Sequence, residues 1–515
     1  MNFLQSTCVC MALGISGAMA QNGTLDETFA NDAEICLINA TELGVEVMGD
    51  MILSDQGEIY LGGTSLAQNN QELLLSRMQA SGALDQTFGT NGHLLLDANT
   101  QGTETLIGLA QQGNKMIILY RLNLSNENSF VLIRTDMDGN IDPSFGSLGA
   151  AWPQFGNDEE EVPTVLAIDA QDRILVGGYL ETDNQGDNQF VARLTADGNM
   201  DTGFSSDGWV PTGLSTDDDN VRDLAFDSNG NIVVVGEVVL QGQRQVAVKI
   251  LTPQGSNSNV FGVNGNVKIP VNNKDVTITS CVVDGSDQII VAGYTNESNQ
   301  NTAMVKLDHT GALVSSFGAN GIRVVDLGFG DDDFVHDILL LDDGYLIGGG
   351  EEQNDVASSV VWRMDENGLL RSDFGNSGKL VTDVSQGLGD FAYRMVMQSD
   401  DQVLVGGYGD ADGNFNIFSF VYRVNIEQAT ATFIHPKPLQ TLAVYPNPTT
   451  DKLRIPDTGM DRPVKLQMFD LTGRMVWQSA AWQPSQAISV RHLPDGMYTL
   501  IMDGRAYASV SKLSR

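Results

Sequence analysis

The chain has 515 residues, with 55 glycines, only 14 prolines and a formal charge of −38 from 28 basic and 66 acidic side chains. That length exceeds one ordinary core, so two or more domains or one large repeat array are expected. The acidic excess excludes nucleic acid and anionic membrane surfaces as partners, since both need basic patches, and it favours solubility and cation binding.

In chain order, residues 1–20 carry no charge and run apolar and small up to Ala18-Met-Ala20 before Gln21. This is the apolar region and cleavage site of a secretory signal peptide. No later segment reaches the roughly 18 apolar residues of a membrane span. Cys8 and Cys10 leave with the signal peptide. Cys36 and Cys281 remain in different repeats, and neither a disulfide framework nor a metal-type cysteine spacing is present.

From residue 23 one motif keeps returning. Its phenylalanine recurs as Phe29, Phe88, Phe145, Phe204, Phe261, Phe317 and Phe374, at spacings of 56 to 59 residues. A glycine follows four positions later in six copies: Gly92, Gly149, Gly208, Gly265, Gly321 and Gly378. Between markers come an apolar run closing on a polar turn, a β-branched run closing on glycine (Ile59 to Gly63, Ile174 to Gly178, Val403 to Gly407), and an alternating strand with one basic residue. A fourth strand follows the Phe motif. Alternation and Gly/Asn/Asp punctuation read as hairpin-linked strands, and four short strands per 57 residues or so make a propeller blade.

Seven second-strand markers give seven blades. Residues 23–40 supply a turn motif and one outer strand with nothing before them, while 391–425 supply three strands with no fourth. The N-terminal strand is therefore expected to complete the last blade and close the ring, which removes an exposed sheet edge. A linear β-solenoid would not need this complementary phase. The pattern D-G-x-L-D-x-x-F-G-x-x-G resembles the delta-60 repeat, a bacterial β-propeller repeat, over about 23–425. Its second Asp stands at Asp26, Asp85, Asp142 and Asp201 but becomes Ser258, Val314 and Arg371. The resemblance implies a fold and no general activity.

The period ends near 428. Residues 428–515 carry a net +4 and the remainder −42, which marks a domain boundary. Residues 428–440 read as a linker, and 441–515 as the short strands of a small immunoglobulin-like β-sandwich. Tyr445-Pro446-Asn447-Pro448, Asp470-Leu-Thr-Gly473-Arg474 and Leu493-Pro-Asp-Gly496-Met-Tyr498 follow in order, with Lys512 near the terminus. These blocks resemble the type A C-terminal sorting domain of the type IX secretion system. The resemblance implies a Gram-negative host, engagement of the secretion machinery, passage through the outer membrane, and surface attachment or release. The whole fold is then all-β, a seven-bladed propeller followed by the small sandwich.

Two rings of charge recur in the propeller. The basic residue of each third strand is Arg77, Arg134, Arg193, Lys249, Lys306, Arg363 or Arg423. It reads either as an anion site or, better, as a structural pair with a nearby turn Asp, its stem packed between blades. An acidic residue precedes each first strand: Glu46, Glu104, Glu161, Asp219, Asp275, Asp333 and Asp390. With the first strand innermost, these ring one channel mouth as a solvated rim, a Ca²⁺ site or the seat of a basic partner. Asp136-Met-Asp-Gly-Asn-Ile-Asp142 has the opening of a calcium loop, but it falls on a hairpin turn and lacks the closing Glu.

Catalytic motifs are absent from the sequence: there is no G-x-S-x-G, H-E-x-x-H or phosphate loop, and His93, His309, His336, His435 and His492 occupy unrelated positions. The sequence thus reads as an exported binding scaffold for an extracellular protein or glycan. The alternatives are a carbohydrate-active hydrolase or lyase using acidic rim residues, and a Ca²⁺-stabilised surface protein. A non-repeating cluster of buried acids or histidine in one blade would favour the enzyme.

Overall fold

The computed structural model describes residues 22–38, 46–67, 70–96, 103–124, 127–154, 160–181, 188–213, 219–296, 299–327, 332–353, 356–385, 389–410, 417–426, 440–441, 449–455, 464–470, 475–482, 487–491, 493–502 and 506–512. The expected signal peptide, all of the linker but Gln440, the Tyr445 to Pro448 motif and Gly473 lie outside them. Two compact units emerge, Met1–Ala431 and Thr432–Arg515.

The first unit is a seven-bladed propeller of antiparallel sheets. Blade 1 is typical: Glu46–Leu53, Ile59–Ala67, Asn70–Met78 and His93–Leu96 pair in sequence order. The first strands of blades 2 to 7 are Thr103–Gln112, Glu160–Ile168, Asp219–Phe226, Val276–Val283, Asp333–Leu341 and Asp390–Ser399. Each packs against the first strands of both neighbouring blades, and blade 7 packs against blade 1, so the first strands form the innermost ring around a channel.

Ring closure follows the phase read from the sequence. Blade 7 takes its first three strands from the C-terminal end of the array and its outer strand, Ile35–Ile38, from the N-terminus, paired to Ile417–Asn425. Thr24–Leu25 pairs with Asn425 and Val424 just before it. No edge is then left where the two ends of the array meet.

The recurring phenylalanine is the inter-blade fastener. All seven are 0–1% exposed. Phe29, Phe88, Phe145, Phe204, Phe261 and Phe317 lie under the turn glycines Gly82, Gly139, Gly198, Gly255, Gly311 and Gly368 of the following blade. Phe374 lies under Gly23, which brings the N-terminus into the same scheme. These glycines combine φ between +75° and +87° with a side chain already standing where a Cβ would go, the phenylalanine ring itself at Gly23, Gly82, Gly198, Gly255 and Gly368 and Leu94 or Val267 at Gly139 and Gly311, so no other residue suits them.

The basic ring completes the fastener. Arg77, Arg134, Arg193 and Arg423 donate Nε to the motif carboxylates of Asp85, Asp142, Asp201 and Asp26 at 2.8–3.0 Å. The same guanidiniums lie over Phe88, Phe145, Phe204 and Phe29 at 4.6–5.0 Å. Where the motif Asp is lost, the partner changes. Lys249 donates to the Thr212 carbonyl, Lys306 to the Tyr345 hydroxyl, and Arg363 to Asp343 and Asn22.

In the second unit the described strands form one five-stranded sheet and a two-stranded ladder, short of the two full sheets of an immunoglobulin-like sandwich. They share a core of Leu453, Ile455, Leu466, Met468, Ile488, Val490, Tyr498, Leu500 and Val510. Lys512 is buried, with Nζ 3.3 Å from Asp495, and pairs with Gly496 within the five-stranded sheet.

Truncating one fastener to Phe145→Ala is expected to cost about 3–5 kcal/mol, read as a lower denaturant midpoint. Deleting residues 22–38 should cost more and make the protein self-associate through the opened edge of blade 7, which light scattering would detect. A deletion that leaves midpoint and mass unchanged would contradict the closure.

Candidate binding site at the channel mouth

Burial along the first strands alternates, which separates residues wedged between blades from residues that look into the channel. In blade 6, Asp333 and Val335 are buried while Phe334 and His336 are half-exposed; in blade 7, Asp390 and Ala392 are buried while Phe391 and Tyr393 are half-exposed. Each first strand carries a β-bulge at this level, between Met48 and Asp50 in blade 1 and between Ala392 and Arg394 in blade 7. The extra residue turns the strand and re-aims the side chains around it.

This alternation decides the acidic ring. Glu104, Asp333 and Asp390 are 0–2% exposed, so they sit between strands and not on a solvated rim. Asp390 accepts the N–H groups of Val384 and Ser385, Asp333 accepts that of Leu327, and Asp275 accepts that of Arg244. In blades 6 and 7 they tie the segment entering the first strand to its start. Glu161 and Asp275 are half-exposed. The side chains of Glu46 and Asp219 lie outside the described set, although their backbones pair with Ser65 and Val238. No group of three or more His, Cys, Asp or Glu able to hold a metal occurs among the described residues. Asp136 serves its own turn, accepting N–H groups from Asp138 and Asn140.

One step below the mouth lies an ion network that the sequence reading did not single out. The residues after the bulges include Asp50, Asp223, Ser280, Asp337 and Arg394. Asp50, Asp223 and Asp337 each accept a backbone N–H from a following blade, at Leu109, Cys281 and Met395, all at 2.8 Å. Arg394 donates Nε to Asp50 at 2.8 Å and lies 3.8 Å from Asp337. Ser280 Oγ sits 3.2 Å from Asp223 and 3.1 Å from Asp337. Burial raises the Asp337 carboxyl to about 6, against the opposing pull of Arg394. Burial, with help from Glu351 and Asp326, raises Asp333 to about 7.

At the mouth itself the repeat breaks down. The second-strand residue one step beyond the bulge is Thr64, Arg121, Tyr179, Glu237, Tyr294, Gly350 and Tyr408 in blades 1 to 7, of which Thr64 and Glu237 are buried and accept the N–H groups of Leu106 and Ile278 in the next blade. The bulged residues are Gly49, Ile107, Thr164, Arg222, Thr279, His336 and Tyr393. Blades 5 to 7 bring these together as one aromatic strip. Tyr294 lies against Phe334 at 5.5 Å, Phe334 against Phe391 at 5.9 Å, and Phe391 against Tyr408 at 5.6 Å. His336 packs on Phe391 and Tyr393, at 5.9 and 5.3 Å, and Tyr393 reaches Tyr408 at 6.0 Å. Gly350 leaves the space that the Phe391 ring occupies.

The electrostatics of the strip follow from its depth. Burial lowers His336 to about 4, so the imidazole is neutral, and its Nε2 has no hydrogen-bond partner among the described residues. Burial raises the Tyr393 and Tyr408 hydroxyls. Beside the strip, Arg222 donates Nε and Nη2 to the buried Glu237 Oε1 at 2.9 and 2.6 Å. Burial opposes the Arg222 charge, but Glu237 outweighs it and the guanidinium is held above its ordinary range. Aromatic faces, hydroxyls and a fixed guanidinium equip this mouth to bind a polar, flat-faced molecule.

Residues 443–514 match the secretion-system C-terminal sorting domain, and 172–204 match a β-propeller domain of unknown function (DUF5122). The chain is therefore exported to the cell surface or the medium, with its C-terminal domain engaging the secretion machinery. No curated protein matches. Among solved structures, a protein of unknown function from Dyadobacter fermentans is 12% identical, with 77% of this chain and 98% of that one covered at a TM-score of 0.44. The polysaccharide lyase Uly1 is 8% identical, covering 76% and 99% at 0.47. A polysaccharide lyase of the ulvan lyase type is 11% identical, covering 76% and 96% at 0.40. Likeness at this level carries no inference about ligand or chemistry.

Two measurements check the electrostatics. Asp333 and Asp337 hold protons in the folded state that the unfolded chain releases near the ordinary value of about 3.9. Their contribution to stability is full below that value and is lost as pH rises through about 6 to 7. Asp333→Asn should flatten this fall and stabilise the protein at pH 8. The acidic-ring carboxylates are dispersed one per blade, and Asp275, Asp333 and Asp390 are each taken by backbone N–H groups. EDTA and added Ca²⁺ should therefore leave the melting temperature unchanged; a rise with Ca²⁺ would restore the metal reading.

Proposed function

We propose that the exported propeller is a glycan-binding scaffold whose recognition site is the channel mouth of blades 4 to 7. The observation that carries this is the half-exposed aromatic strip from Tyr294 through Phe334 and Phe391 to Tyr408. Aromatic rings offer flat apolar faces to the C–H face of a sugar, and the Tyr294, Tyr393 and Tyr408 hydroxyls supply directional hydrogen bonds beside them. Supporting it further, the strip departs from the repeat, while the fasteners that serve only the fold are repeated blade after blade.

A second reading places catalysis at the same site, and His336 favours it. Its neutral imidazole packs on the Tyr393 ring, and its Nε2, shielded from water and without a partner among the described residues, would accept a proton from a bound sugar once a rearrangement exposes it. It is a single histidine of blade 6 against a tyrosine of blade 7, short of the non-repeating cluster of buried acids or histidine in one blade that would mark the enzyme, and it is not part of the acidic rim.

The test is glycan binding by the full exported chain and by the Tyr294→Ala/Tyr408→Ala variant. The variant should lose at least about 30-fold in affinity, corresponding to about 2 kcal/mol, with its melting temperature nearly unchanged. Equal binding by variant and parent would move the site elsewhere. Release of new sugar ends during binding, abolished by His336→Ala, would convert the scaffold into an enzyme.

A further inference from the structure

The ion network beneath the mouth has more acceptors than donors. Its members form one arc through five consecutive blades: Asp223 of blade 4, Ser280 of blade 5, Asp337 of blade 6, Arg394 of blade 7 and Asp50 of blade 1. Blades 2 and 3 carry Gly108 and Val165 at the same position, so the arc is confined to the side of the ring that includes the aromatic strip. At its blade 1 end the charges balance, since Arg394 donates Nε to Asp50 at 2.8 Å. At the other end they do not. Ser280 Oγ stands 3.2 Å from Asp223 Oδ2 and 3.1 Å from Asp337 Oδ1. A hydroxyl has one proton, so it serves one carboxylate, and its contact with the other needs a proton on that carboxylate.

The surroundings supply no second cation. Asp223 is otherwise held by the N–H groups of Leu224 and Cys281, and Asp337 by those of Ile338 and Met395, all at 2.8–2.9 Å. Arg394 lies 3.8 Å from Asp337 with its Nε given to Asp50, and no cation forms an ion pair with Asp223 among the described residues. Three other titratable groups stand beside the pair. Burial and the Asp223 charge keep the Cys281 thiol protonated, burial keeps His336 neutral, and burial raises the Tyr393 hydroxyl, which also feels Arg394, Asp50 and Asp337. The exchangeable proton therefore belongs to the two carboxyls, both of which burial raises, Asp337 to about 6. The pair is tied to the strip through the backbone. His336 and Tyr393 are the bulged residues immediately before Asp337 and Arg394, so a change of spacing in the arc moves them.

We propose that the arc is a proton-operated latch: one proton shared by Asp223 and Asp337 across Ser280 locks blades 4 to 6 together beneath the mouth, and its release loosens them. With the proton on Asp337, that carboxyl donates to Ser280 Oγ and Ser280 donates to Asp223, so every contact is a hydrogen bond. Without it, two buried carboxylates compete for one donor and repel each other where water screens them little. The folded pair keeps its proton above the ordinary carboxyl value. The latch is thus fully closed below about 3.9 and weakens as pH rises through about 6. The mouth is firmest in acid medium, and this holds whatever ligand it takes.

Cys281 is a reporter set into the latch, because its N–H is held by Asp223 and its side chain is buried. The experiment follows the reaction of Cys281 with a dipyridyl disulfide in the full exported chain carrying Cys36→Ser. Rates are taken at pH 5 and pH 8, each divided by the rate of the urea-unfolded chain at the same pH. The ratio removes the ionisation of the thiol itself and reads opening of the arc. It should rise about 10-fold from pH 5 to pH 8, the change expected of one carboxyl released near pH 6. Asp337→Asn, whose amide donates to Ser280 as the protonated acid does, should hold the ratio low at both pH values. Asp223→Asn removes the same shared proton and should do likewise, which covers a failure of the first variant to fold. Ser280→Ala should raise the ratio at pH 5, because the bridge is gone. A ratio in the parent that does not change with pH would overturn the latch. A rise that survives both asparagine variants would overturn it too, and would assign the titration to Asp333.

Discussion

The structure depends on one repeated contact: a phenylalanine ring seated under the turn glycine of the next blade, covered in four of the seven copies by a guanidinium that its own motif aspartate holds in place. Propeller blades are single sheets that cannot bury both faces alone, so the ring exists only if each blade is fastened to its neighbours. Phe145 illustrates how economical the unit is. The ring lies under Gly198, the Arg134 guanidinium stacks on it at 4.9 Å, and Asp142 fixes the guanidinium from the turn that delivers the phenylalanine. In blade 7 the same unit is assembled from opposite ends of the array, Asp26 and Phe29 with Arg423. Local fastening and global closure are one device.

The fasteners repeat blade after blade, whereas at the channel mouth structural contacts such as those of Thr64, Glu237, Asp333 and Asp390 alternate with residues that vary. The ion network one step below shows the transition. Asp50, Asp223 and Asp337 still staple neighbouring blades through backbone N–H groups, yet the corresponding positions elsewhere are Gly108, Val165, Ser280 and Arg394. One level higher Thr64 and Glu237 still accept N–H groups of the next blade, at Leu106 and Ile278, while tyrosine stands at the same position in blades 3, 5 and 7, and the proposed ligand site lies there.

The fold was legible in the sequence because its determinants are local and periodic. The spacing of Phe29 to Phe374 counted the blades, and the complementary ends at 23–40 and 391–425 predicted the closing strand. Pairing of the basic ring with turn aspartates was legible for the same reason, since Arg77 and Asp85 lie eight residues apart within one motif. The site was not. Phe334 and Asp333 are neighbours in sequence, and only the pleat decides that the first faces the channel and the second the blade interior; the acidic ring was read as a rim on that account. The members of the aromatic strip come from blades 5, 6 and 7 and meet only when the ring closes. One signal was available: the residue after each second-strand Gly-Gly or its equivalent is aromatic at Tyr179, Tyr294 and Tyr408 but not in the other blades, while the residue before it is glycine in six of seven.

The central claim is that recognition belongs to the variable channel mouth and not to the repeated periphery. Hydroxyl-radical footprinting of the full exported chain, with and without a bound polysaccharide, tests it residue by residue. The account predicts protection of Tyr294, Tyr393 and Tyr408, with the exposed Trp152 of blade 2 reacting equally in both states. Protection of Trp152 with the three tyrosines unchanged would contradict it.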